Sequence, residues 1–166
     1  MKIHDDHLYH GAALIQVAEH PTFKAINSMK VNGVVSRSAF QINQDIGLYL
    51  KYAVKPMKSF DEYQFTFTEK HLEDLKLIAD SKPNLFIALV CVEGREICVL
   101  SHRQLQELVK TRRASKGESE PQYIVLATMK KNQAFRVYVN KAGIRKYFAG
   151  KPLVVPRNSF PALIFG

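Results

Sequence analysis

The sequence predicts an α/β fold with a mixed central sheet flanked by helices. Three observations carry that expectation. Leu85–Val92 reads LFIALVCV, an apolar run short enough for a strand buried on both faces. Val34–Asn43, Leu48–Val54 and Tyr63–Thr68 are rich in β-formers, and the last two alternate cleanly. Helical spacing of apolar residues separates these runs. At 166 residues and 46% hydrophobic, the chain suits one domain with a full core. That core is expected at about 7–110, followed by a basic hairpin, a short helix and a tail at about 122–166.

The elements follow in order. His7–His20 carries Leu8, Ala12 and Ile15 at helical spacing, with Asp5 or Asp6 as cap. Pro21 ends it, and Thr22–Met29 is expected to add a further helical turn. Asn32-Gly33 is a turn. The strands Val34–Asn43 and Leu48–Val54 meet at a tight turn, Gln44-Asp45-Ile46-Gly47. In the second, Leu48, Leu50, Tyr52 and Val54 face one way, and Tyr49, Lys51, Ala53 and Lys55 the other.

Tyr63–Thr68 is the third strand, and Thr68 caps a helix with the stripe Leu72, Leu75, Ile78 and Ala79. Ile97–Leu100 pairs back on the buried strand. A two-residue turn at Gly94-Arg95 would set Cys91 opposite Cys98, at a spacing that disfavours a disulfide. Ser101 and Gln104 form a capping-box pattern ahead of Leu105, Leu108 and Val109. Thr111–Pro121 reads as a mobile polar loop. Tyr123–Met129 and Phe135–Asn140 form a hairpin, Lys141–Ala149 a short helix, and the proline-bearing tail tucks its apolar residues against the body.

Charge points towards a polyanion. The chain carries 24 Lys and Arg against 15 Asp and Glu. Residues 1–100 hold 11 basic and 12 acidic side chains; residues 101–166 hold 13 and 3. An excess confined to the last two-fifths suggests a nucleic-acid-facing surface. The other reading is a solvated basic surface. Arg136 and Tyr138, beside Lys130 and Lys131, interleave cations with an aromatic, a pattern that holds phosphate and stacks a base. Arg112 and Arg113 are further candidates, as backbone clamps. His102 and Arg103 open a helix, a weaker anion signal.

No apolar run reaches the roughly 18–20 residues of a membrane span, and the N-terminus lacks a signal-like core. A cytoplasmic location is expected. No phosphate-binding glycine loop, zinc spacing or nucleophile elbow is present. His4, Asp5, Asp6, His7 and His10 are open to two readings, helix capping or a transition-metal cluster serving a hydrolase.

The order helix–strand–strand–strand–helix–strand, with Lys51 mid-strand, resembles the core of the restriction-endonuclease-like superfamily, known by its PD-(D/E)XK signature. The resemblance covers roughly residues 7–100. It implies DNA as partner and Mg²⁺ as cofactor of a phosphodiesterase. Lys51 would position water, with Asp45 and the first-helix acid Glu19 holding the metal. The position two before the lysine is Tyr49, where the family places Glu, Asp or Gln. A phenol is a poor Mg²⁺ ligand, so the signature is damaged. The expected function is nucleic-acid binding, with weak or lost nuclease activity. The alternative is a non-enzymatic protein-interaction module of the same fold. The oligomeric state is open, a homodimer included.

Overall fold

The computed structural model describes residues 1–166. Helix α1 (Asp5–Ala18) is followed by the strands β1 (Ile26–Val31), β2 (Val34–Ile42), β3 (Ile46–Ala53) and β4 (Tyr63–Thr68). Next come α2 (Glu69–Ser81), β5 (Asn84–Cys91), β6 (Glu96–Ser101) and α3 (His102–Lys116). The chain ends with β7 (Gln122–Thr128), β8 (Phe135–Tyr138), β9 (Leu153–Val155) and a 3-10 turn at Ala162–Phe165.

These strands form two sheets. One has the order β1-β2-β3-β5-β6, with β3 and β5 parallel and every other pair antiparallel. The parallel pair needs a crossover, and α2 lies within it. The other sheet is antiparallel, β4-β7-β8-β9. The fold is therefore α/β with two sheets and flanking helices, not one central sheet.

Tyr63–Thr68 is a strand as expected, but it belongs to the second sheet. Pro56 follows β3 closely, and the connection redirects the chain. Tyr63, Phe65 and Phe67 then bury their rings between the sheets. Gly94 N–H donates to the Tyr63 hydroxyl at 2.9 Å, tying β4 to the β5–β6 turn.

The alternation of β3 divides the core. Leu48 and Leu50 join Ala13 and Val17 of α1, Ala88, Val90 and Val99, and Phe160 and Ile164 of the tail. Tyr49 joins the larger cluster, where Ile87, Leu89 and Leu100 meet α2, α3 and the inner face of the second sheet. Strand β5 feeds both clusters, so its apolar run has no solvent face.

Local expectations fare unevenly. Thr22–Met29 holds no helix and instead leads into β1. Asn32 and Gly33 at φ 52° and 78° form the two-residue hairpin turn that pairs Val31 with Val34, and this pairing sets the local structure. Asn43 at φ 54° makes the next turn. Its Oδ1 accepts from the Lys24 N–H at 2.7 Å and its amide donates to the Thr22 carbonyl at 3.1 Å, holding the chain entering β1. His4, not Asp5 or Asp6, caps α1; its N–H donates to His7 Nδ1 at 3.0 Å. Thr68 caps α2 and Ser101 caps α3 with Gln104, as the sequence predicts.

The polar stretch from Thr111 is helical to Lys116 and ends at Gly117, whose φ of 84° suits a left-handed cap. Lys141–Ala149 is not a helix; it folds back through a bridge between Asn140 and Phe148. The β5–β6 turn spans Val92–Arg95 and pairs Cys91 with Glu96, so Cys98 lies opposite Leu89 instead of Cys91. Both thiols are free and buried, and burial pushes Cys91 up to about 12. No helix is long and apolar enough to cross a membrane.

Candidate functional site

Lys51 sits on the inner-facing side of β3, partly buried. Its Nζ donates to the Thr66 carbonyl at 2.6 Å and lies 3.0 Å from His71 Nδ1. The ring of Phe67 stands beneath it, 5.1 Å from Nζ to centroid. Burial holds the ammonium down, to a pKa of about 8. His71 Nδ1 also accepts from the Thr68 N–H at 3.2 Å. With two donors aimed at that nitrogen, the neutral imidazole is favoured. Burial first, and then the Lys51 charge, lower the His71 pKa.

The other members of the expected metal site lie elsewhere. Asp45 is exposed in the turn before β3. Six residues of extended chain separate its backbone from that of Lys51, about 20 Å at the usual strand rise. Glu19 is the exposed C-cap of α1, the helix packed on the opposite face of the sheet. Tyr49 is buried, and burial pushes its hydroxyl up to about 12, so it stays protonated and uncharged. The three ion pairs, Lys70–Asp74, Arg112–Glu120 and Arg157–Glu96, do not include Lys51. No group of three or more His, Cys, Asp or Glu side chains is placed to hold a metal ion. Lys51, Asp45 and Glu19 therefore do not assemble, and Mg²⁺ does not fit these residues. Of the N-terminal histidines, His4 and His7 lie together, ring centroids 5.4 Å apart, but His10 does not join them. His7 serves the start of α1, while buried His10 turns to the Arg37 carbonyl, 3.2 Å from its Nδ1.

Arg112 and Arg113 are engaged inside the fold. Arg112 Nε and Nη2 donate to the two carboxylate oxygens of Glu120 at 2.6 and 3.0 Å, and Nη1 to the Asn140 carbonyl at 2.8 Å. Arg113 Nε donates to the Tyr123 hydroxyl at 2.9 Å, with its guanidinium over that ring. These bonds staple the end of α3 to the second sheet. His102 lies beside a separate groove between α2 and α3 that also carries Glu69 and Glu73.

Four other cations, Lys130, Arg136, Lys146 and Lys151, converge. Phe135 and Val137 of β8 point into the core, so Arg136 and Tyr138 occupy the outer face of the second sheet. The rows Thr128–Arg136–Val154 and Leu126–Tyr138 cross that face. The chain after β8 then folds back over it. Lys141 N–H donates to the Tyr147 carbonyl and Ala149 N–H to the Val139 carbonyl, at 2.8 and 2.9 Å. Phe148 is thereby set against Tyr138, ring centroids 4.5 Å apart. Lys146 Nζ stands 4.4 Å from the centre of the Phe60 ring.

An open cavity of about 530 Å³ lies here, lined by Lys130, Arg136, Lys146 and Lys151, with Phe60, Tyr138 and Phe148 among its walls. The Arg136 Nη1 atom is buried without a hydrogen-bond partner. Glu62, 3% exposed, is the one acid of the lining. Burial raises its pKa and the nearby Lys146 charge opposes that rise. Lys131 is exposed in the β7–β8 turn beside the cavity, outside its lining. Arg157 fixes this turn from below: it is ion-paired to Glu96, and its Nη1 donates to the carbonyls of Lys130 and Gln133, both at 3.1 Å.

Lys130, Arg136 and Tyr138 are thus brought together. Lys146, Lys151, Phe60, Phe148 and Glu62 escaped the sequence reading. The run Lys141–Phe148, KAGIRKYF, interleaves cations with aromatics. That signal is masked in the sequence because the same run also has helix-compatible composition. Glu62 gave no signal. No family model, no curated protein and no solved structure matches the chain.

Proposed function

We propose that this protein binds nucleic acid, DNA in particular, through the outer face of its second sheet. The observation that carries the proposal is the convergence of Lys130, Arg136, Lys146 and Lys151 on one open, aromatic-walled cavity. Cations at that density attract phosphates, and the rings offer a base a stacking surface. The charge asymmetry of the chain supports the same reading, since all four cations belong to its basic last third.

A restriction-endonuclease-like core is part of the proposal. Tyr63–Thr68, the third strand of the expected order, lies in the second sheet, and β1 takes a place in its stead: the five-stranded sheet and its helices run α1, β1, β2, β3, α2, β5 along the chain, with β6 following. This is helix–strand–strand–strand–helix–strand, and Lys51 falls on the third strand. The proposed activity is binding and not cleavage, because the carboxylates do not meet at Lys51 and Tyr49 supplies no anionic oxygen.

The test is fluorescence anisotropy of labelled DNA with the wild-type protein and with Arg136→Ala/Lys146→Ala. Binding that weakens about tenfold or more in the variant supports the proposal, since two phosphate contacts are removed. A failure of the wild-type protein to bind any DNA defeats it and favours a protein partner.

A further inference from the structure

The cavity on the second sheet has a chemistry more specific than phosphate attraction. Its floor holds two polar groups that the fold leaves for something else. Glu62 is almost wholly buried and is not among the molecule's ion pairs. Arg136 Nη1 is buried without an acceptor. A guanidinium N–H buried in this state is costly unless an acceptor completes it. A surface that needed only positive charge would gain nothing from a carboxylate in its lining, which repels phosphate. A ligand carrying both a phosphate and N–H donors satisfies every group present.

The walls narrow the choice. Phe148 is set against Tyr138, and Phe60 faces Lys146. Flat aromatic rings beside a cation suit a planar base that has left its stack. A base paired within a duplex has its Watson–Crick donors occupied and cannot offer them to Glu62. Among the bases, guanine alone carries two adjacent donors on that edge, N1–H and the N2 amino group, matching the two oxygens of a carboxylate. The 530 Å³ volume is in the range of a small-molecule site.

We infer that the cavity is a subsite for one unpaired guanine nucleotide of a single strand, with Glu62 reading the base edge, Phe148 and Phe60 flanking the ring, and Arg136 with Lys151 holding phosphate. The inference rests on the nucleic-acid reading above and names its substrate class. The shared chemistry, a guanine nucleotide, has two sources, a strand or a free nucleotide.

The experiment uses the full chain and fluorescence anisotropy at one salt concentration. The probes are labelled single strands of about 12 nucleotides, a length within the usual site sizes of strand-binding proteins. One is a thymine strand with interspersed guanines, one has adenines in their place, and one has hypoxanthines, which lack the N2 amino group. A duplex of the guanine strand and free GMP complete the set. The guanine strand is expected to bind about tenfold more tightly than the adenine strand, the usual scale for a two-bond base contact. The hypoxanthine strand is expected to lose part of that preference, a readout that needs no change to the protein. Glu62→Gln is expected to reduce the preference while leaving the adenine strand bound.

Equal binding of guanine and adenine strands overturns the guanine assignment and leaves the nucleic-acid reading standing. A duplex bound as tightly as the guanine strand overturns the unpaired-base assignment. GMP bound as tightly as the strand overturns the strand as source. Absence of binding to every strand and the duplex defeats the underlying reading as well.

Discussion

Lys51→Met removes a charge that the fold holds partly out of water, and the consequence is a stability difference that depends on pH. The lysine titrates at about 8 in the folded chain against an ordinary 10.5. Between those values the unfolded chain binds more protons than the folded one. Wild-type stability therefore gains from this group as pH rises from about 8 towards 10.5, and the penalty is fully present below 8. The interval corresponds to at most ~3 kcal/mol at 1.36 kcal/mol per pH unit. Solvent screening of a partly exposed ammonium reduces the expected gain to ~1–2 kcal/mol. The variant has no such group. The buried tyrosines and cysteines that titrate in the same range are common to both proteins and cancel in the difference. Urea unfolding of both proteins from about pH 7 to about pH 10 measures it. The wild-type-minus-variant stability should rise across that range. A flat or falling difference refutes the claim that Lys51 is held desolvated against Thr66, His71 and Phe67.

Three further outcomes follow from the same packing. Arg112→Ala removes the bonds to Glu120 and Asn140 and should lower stability by ~1–3 kcal/mol, while DNA affinity stays unchanged; an affinity loss without a stability loss would return Arg112 to the interface. His71 is held neutral, so as pH falls through about 6.5 the unfolded chain takes up the proton first and stability declines. His71→Gln should make this decline shallower in acid unfolding curves, with His10 and His102, also lowered by burial, supplying the remainder. Gly150 has φ 73°, and an added Cβ would lie 2.9 Å from Thr111 Cγ2. Gly150→Ala should therefore cost at least ~1–2 kcal/mol in urea melts, and an unchanged midpoint would contradict the fold-back of residues 140–150.

The sequence was most legible where local and tertiary demands agree. The LFIALVCV run and the Thr68 and Ser101 caps are each decided by a few neighbouring residues, and each is where the pattern placed it. Strand β1 was hidden because its pairing with β2 outweighs its weak local preference. The Tyr63–Thr68 pattern announced a strand, yet alternation carries no information about which sheet receives it. The cysteine register turns on a four-residue turn, which the Gly94-Arg95 pair does not distinguish from a two-residue one. At the site, Lys130, Arg136 and Tyr138 were legible because charge and alternation coincide on β8 and its turn. Arg112 and Arg113 bore the same chemistry, but Glu120, Asn140 and Tyr123 claim them inside the fold. Glu62 was invisible, since the cavity it shares with Lys146 and Phe148 brings together residues some 80 positions apart in the chain.

Phosphate contacts at the cavity on the second sheet should make DNA binding depend on salt. Four cations line the cavity, and each phosphate neutralised on a single strand contributes about −0.7 to the slope of log affinity against log salt. The expected slope is about −3 for the wild-type protein and about −1.4 for Arg136→Ala/Lys146→Ala. A slope near zero, or one that the double substitution leaves unchanged, would contradict the assignment of this face to nucleic acid.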